Sequence, residues 1–206
     1  MLNIISFIVY FFLIIYILIT LKKNKDMLLT KDYSEIKGKW VAFTGLLSAI
    51  TTILHAAPVF LPVIGLALSP LSSLPVIIGA LLLGDKVLAM FLTTTALLFL
   101  ISAKEAIIFL LATGPLGLAV SLVVIPTVPF WKKSLLSTSL LSCGTFLLIF
   151  FVGLPGLQNI VGAINIVILL GIILFSFLYS LLFMALTLLI QKHICSIISA
   201  RGGDMY

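Results

Sequence analysis

Charge is what this sequence has least of. Only 9% of its 206 residues are charged and 63% are apolar, where an ordinary soluble domain is about 25% charged. A water-soluble fold of this size could not hide so much apolar surface. Catalytic patterns are absent as well. There is no H-E-x-x-H, no G-x-S-x-G and no phosphate-binding loop. Histidine is nearly absent: His55 and His193 are the only two, and they fall on opposite sides of the expected membrane, so they cannot share a metal. Cysteine is equally sparse. Cys143 and Cys195 form no C-x-x-C motif, which argues against a zinc site or a disulfide framework and for buried thiols. These absences predict a protein that is not an enzyme and has no cofactor, no metal and no nucleic-acid partner.

What is present is apolar sequence in long, continuous runs, with a mean hydropathy of +1.39. A transmembrane barrel needs short alternating segments instead. The reading is therefore all-α: a polytopic helical membrane protein with the lipid bilayer as its main partner. At about 20 residues per span, the runs predict about seven transmembrane helices. Residues 1–21 form an N-terminal transmembrane helix. Their basic residues, Lys22, Lys23 and Lys25, follow the apolar run, whereas a secretory signal carries them in front. Residues 22–39 form a basic loop, 40–190 a six-helix core and 191–206 a tail.

Within the core, Trp40 marks an interface and a helix is expected near 41–57. Pro58, Pro62, Pro70 and Pro75 predict an irregular segment near 58–74, because proline withdraws a backbone donor. A helix returning to Gly84 follows. Further spans are read at 87–101, 106–130, 134–152 and 160–190. Lys132 and Lys133 are read as interfacial charges. The eleven lysines and one arginine test this partition. With the 22–39 loop in the cytoplasm, only Lys104 falls outside. The positive-inside rule then places the chain in the cell membrane, N-terminus outside and C-terminus in the cytoplasm.

Polar residues cluster on the outer side of this map. His55 lies about 22 Å up its helix from Trp40. The proline-rich segment, with Ser69 and Ser72, lies on the same side, as do Lys104, Glu105 and Asn165. Polar groups inside a bilayer are costly and tend to mark sites. His55, Ser69, Ser72, Lys104, Glu105 and Asn165 are thus the candidate ligand-binding residues of an outward-opening pocket. The near balance of Lys104 against Glu105 favours a neutral or zwitterionic ligand. A second feature is Thr44, Gly45, Ser48 and Ala49, small residues at four-residue spacing. Such a face suits close helix packing, either internally or against a docking partner.

The run G-L-L-S-A-I-T-T-I-L-H at 45–55, the run L-S-P-L-S-S-L-P-V-I-I-G-A-L-L-L-G at 68–84 and the run K-E-A-I-I-F-L-L-A-T-G-P-L-G at 104–117 carry a resemblance. The stretch from Trp40 to about Val152 resembles the substrate-binding S components of energy-coupling factor (ECF) transporters. It resembles equally the YybS-like family of bacterial membrane proteins. The first resemblance implies a six-helix core and a vitamin or nutrient site near the outer face. It also implies docking, through a small-residue face holding Gly45 and Ala49, to a transmembrane coupling subunit with two ATPases. The helix at 2–21 is extra to that plan. The second resemblance implies a scaffold or accessory membrane protein that does not transport.

Overall fold

A computed structural model of the chain describes residues 2–24, 39–149 and 166–202. The described residues are helical and contain no strand. In chain order they form α1 (Leu2–Lys23), α2 (Lys39–Phe60), α3 (Pro62–Leu68), a 3-10 turn (Ser69–Ser72) and α4 (Ser73–Leu83). After a second 3-10 turn, Gly84–Lys86, come α5 (Val87–Ile101), α6 (Ala103–Ile108), a π turn (Phe109–Thr113) and α7 (Gly114–Ser121). A last 3-10 turn, Leu122–Val124, precedes α8 (Phe130–Leu147) and α9 (Ile166–Gly202).

Five helical stretches are long and apolar enough to cross a bilayer: Ser6–Lys23, Lys39–Phe60, Pro62–Leu83, Ala103–Val124 and Ile166–His193. The helix α5 has 15 residues, or about 22 Å at ~1.5 Å per residue, short of a ~30 Å hydrocarbon core. The helix α8 carries Lys132, Lys133 and several serines. These two account for the difference from the expected seven. The span expected to reach Phe130 stops at Val124.

The segment 58–74, expected to be irregular, is mostly helical, and this corrects the sequence reading. Proline lacks a backbone donor everywhere, but this costs a helix only where a preceding carbonyl needs that donor. Pro62 opens α3 and Pro70 opens the 3-10 turn, and the start of a helix is where proline costs least. The chain breaks only at Leu61, extended at φ −130° and ψ 82° before Pro62. There it folds α3 back onto α2. The fold-back needs Gly65, because any Cβ there would run into the backbone of Ala57 and Pro58.

The core is apolar, with Ile77, Leu81, Met90, Leu98, Phe109, Leu116 and Leu140 fully buried. Outside it, Phe7, Phe11, Phe12, Phe60, Val63, Leu100, Leu174 and Phe175 are exposed, a surface suited to lipid. The helix α9 shows both environments. Ser176, Ser180, Phe183 and Thr187 are buried along one stripe, and Ser180 hydrogen-bonds Ser137 of α8.

Two groups of polar contacts lie toward opposite ends of α2. At one end the Lys86 ammonium lies 4.9 Å from the centre of the Trp40 ring, and Thr127 donates to Asn24 Oδ1 at 3.0 Å. Lys133, expected to be an interfacial charge, is buried there. Its ammonium donates to Val123 O at 2.9 Å, placing a cation at the C-terminal carbonyls of a helix. The opposite end holds His55.

Candidate functional site

The site is built where three connections meet. The helix α2 delivers His55 about one and a half turns before its break at Leu61. The 3-10 turn delivers Ser69 and Ser72. The third element begins at Ser102, extended at φ −159° and ψ 116°. Ser102 Oγ accepts from Glu105 N at 3.4 Å. The sequence S-A-K-E has the spacing of a capping box, so the polar break expected at 102–105 is the N-terminus of α6. This cap sets the first turn of α6 and with it the position of Glu105.

His55 is 0% exposed, and both ring nitrogens are bonded. Nε2 lies 3.1 Å from the backbone carbonyl of Glu105. A carbonyl only accepts, so Nε2 carries the hydrogen, and the neutral imidazole is the Nε2–H tautomer. Its Nδ1 then presents one lone pair. Three hydroxyls surround that lone pair: Ser72 Oγ at 3.0 Å, Ser69 Oγ at 3.3 Å and Thr113 Oγ1 at 3.4 Å. The Glu105 carboxylate is nearby, with Oε2 3.8 Å from Nε2. Phe109 closes the apolar side, its ring edge-on to the imidazole at 5.4 Å.

Four of the six predicted ligand-binding residues are thus brought together: His55, Ser69, Ser72 and Glu105. Lys104 is adjacent in sequence but exposed. Asn165 lies outside the described residues, as do Gln158 and Asn159. Thr113 and Phe109 were not anticipated. The available signal was Gly114-Pro115 directly after them, which reads as a kink; the structure places a π turn there. The small-residue face divides in two. Thr44 and Ser48 are buried, and Ser48 donates to Met90 O of α5 at 3.2 Å. Gly45 and Ala49 are exposed, and a Cβ at Gly45 would meet nothing within 4 Å.

Ser72, His55 and Glu105 follow the order of an acyl-transfer triad, yet their geometry is different. The Nε2–H is directed at a backbone carbonyl, whereas a triad needs it on the carboxylate. Two other hydroxyls also compete with Ser72 for Nδ1. The arrangement is better suited to holding polar groups than to activating a nucleophile. The chain matches no known protein family, no curated protein and no solved structure.

Proposed function

We propose that this chain is a membrane-embedded subunit that binds a small polar molecule, working with separate energising subunits in the manner of an ECF S component. One observation carries the reading: three hydroxyls converge on a single imidazole lone pair. One of them satisfies it. The other two, on the half-buried Ser69 and Thr113, share that one acceptor and keep donor capacity for a further partner. A neutral or zwitterionic molecule bearing hydrogen-bond acceptors would use them, and the Glu105 carboxylate would accept from its donors. The helix α3 and the 3-10 turn cover His55, so the molecule reaches it by displacing them. In this reading α5 and α8 complete seven spans, the N-terminus faces outside, and the exposed Gly45–Ala49 face receives the coupling subunit.

The test begins with gentle purification and mass spectrometry of the bound small molecules and the co-purifying subunits. Ser69→Ala then separates binding from stability. Ser72 still satisfies Nδ1, so the ligand-free protein should melt as the wild type does. Affinity for the recovered molecule should fall about tenfold, the equivalent of ~1.4 kcal/mol. Unchanged affinity would remove the surplus-donor argument.

A specific observation favours a second reading, a non-transporting scaffold or accessory membrane protein of the YybS-like kind. His55 is wholly buried with both nitrogens bonded, as interhelical glue would be. Purification that recovers no small molecule and no ATPase partner would favour this reading.

A further inference from the structure

The helix α1 is extra to a six-helix plan, yet it reaches the site in two steps. The first step starts at Pro115. Gly114 N donates to Phe109 O, five residues back, which is the hydrogen bond of a π turn. The next donor in line would be the N–H of residue 115. It would serve Leu110 O in the wide register or Leu111 O in the α register. Proline has no N–H, so it serves neither. Inside a bilayer such carbonyls have to find partners from neighbouring helices.

Tyr10 of α1 supplies the partner. Its single hydroxyl hydrogen faces two carbonyl oxygens, Leu110 O at 3.0 Å and Leu111 O at 2.9 Å, the two that an N–H at position 115 could have served. Tyr10 is buried. Its neighbour Ser6 accepts from Cys143 Sγ of α8 at 3.7 Å. Gly144 of α8 lets the Leu111 carbonyl approach so closely that any Cβ there would collide with it. The wide turn is therefore held from two sides.

The second step runs from the turn to the imidazole. Phe109 and Thr113 are the first and last residues of the π turn, and both touch His55. Glu105 lies one turn before it. If the turn relaxed to α geometry, everything on its N-terminal side would rotate by one residue, about 100° at 3.6 residues per turn. The Glu105 carbonyl and the Phe109 ring would leave the imidazole.

We propose that Tyr10 is a positioning residue for the His55 site: by sharing its hydroxyl hydrogen between the Leu110 and Leu111 carbonyls, in place of the N–H that Pro115 lacks, it holds the wide turn from which Glu105, Phe109 and Thr113 meet the imidazole. This makes α1 part of the site's machinery. The inference rests on the reading of the His55 cluster as a site, but its test needs no ligand.

The experiment uses the full chain labelled with 15N-histidine in a His193→Gln background, which leaves His55 as the one histidine signal. The wild type should show two well-separated ring resonances, from a protonated Nε2 and an unprotonated Nδ1. In Tyr10→Phe, which removes only the hydroxyl, the separation should narrow as the tautomers exchange. Adding Pro115→Ala gives the turn an N–H that can bond Leu111 O in the α register, so the double variant should regain the melting temperature while keeping the altered His55 pattern. A Tyr10→Phe protein with unaltered His55 resonances and a lowered melting temperature would overturn the proposal, leaving Tyr10 as packing alone. If Tyr10→Phe does not fold, the double variant decides. Folded protein with altered His55 signals supports the proposal. Folded protein with wild-type signals overturns it, because the wide turn would then stand without Tyr10; failure to fold overturns it too. Loss of ligand binding with unchanged ring signals would bear on the proposed function and not on Tyr10.

Discussion

Replacing His55 by alanine should loosen the end of the bundle at which α2, the 3-10 turn and α6 meet. The magnitude follows from what the imidazole does. Its Nε2–H is a partner of the Glu105 carbonyl. That carbonyl also accepts from Phe109 N–H, so what is lost is one ordinary hydrogen bond, ~0.5–1.5 kcal/mol. The ring also fills space against Phe109. A residual void of roughly 50 Å3 adds about 1 kcal/mol at ~24 cal/mol per Å3. The three hydroxyls can re-pair among themselves, so their loss is small. The sum is roughly 1.5–2.5 kcal/mol. At ~2–4 °C per kcal/mol for a chain of this size, the melting temperature should fall by roughly 3–10 °C. His55→Gln is the control. Its amide can donate to the Glu105 carbonyl and accept from Ser72, so it should lose less than half as much. Both variants are measured by thermal unfolding of detergent-purified protein without added ligand. An alanine variant melting within about 2 °C of the wild type would refute the reasoning, because the imidazole would then tie nothing together.

Two other predictions address the membrane and its partners. With Cys143 and Cys195 replaced, cysteines at Lys25 and Lys132 should resist a membrane-impermeant thiol reagent in intact cells and one at Gln158 should react; the opposite pattern would reverse the orientation. Gly45→Leu should leave the melting temperature unchanged, because nothing lies within 4 Å of its Cβ position, but should abolish co-purification of a coupling subunit. Ser48→Leu should instead overpack the α2–α5 contact, at about 1–3 kcal/mol, so equal melting temperatures for the two would contradict the division of that face.

Helices long and apolar enough to cross a bilayer were legible in composition alone, because the 63% apolar residues fall in long continuous runs. The cluster at His55 was legible in part. Polar residues that cannot face lipid have to face protein, so His55, Ser69, Ser72 and Glu105 could be picked out before any fold was known. Their partners could not. Thr113 lies 58 residues from His55 in sequence and Glu105 lies 50, and no local pattern records which hydroxyl or carbonyl a given nitrogen meets. The prolines misled for a related reason. Proline states that a donor is missing, but whether this breaks a helix depends on position and neighbours. Pro62 and Pro70 start helical turns, and Pro115 sits in a helix because Tyr10, about one hundred residues away, serves the carbonyls it abandons. Local chemistry thus determined which groups needed partners, and only the tertiary structure decided which partners they found, since hydrogen bonds between helices depend on proximity in space and not in sequence.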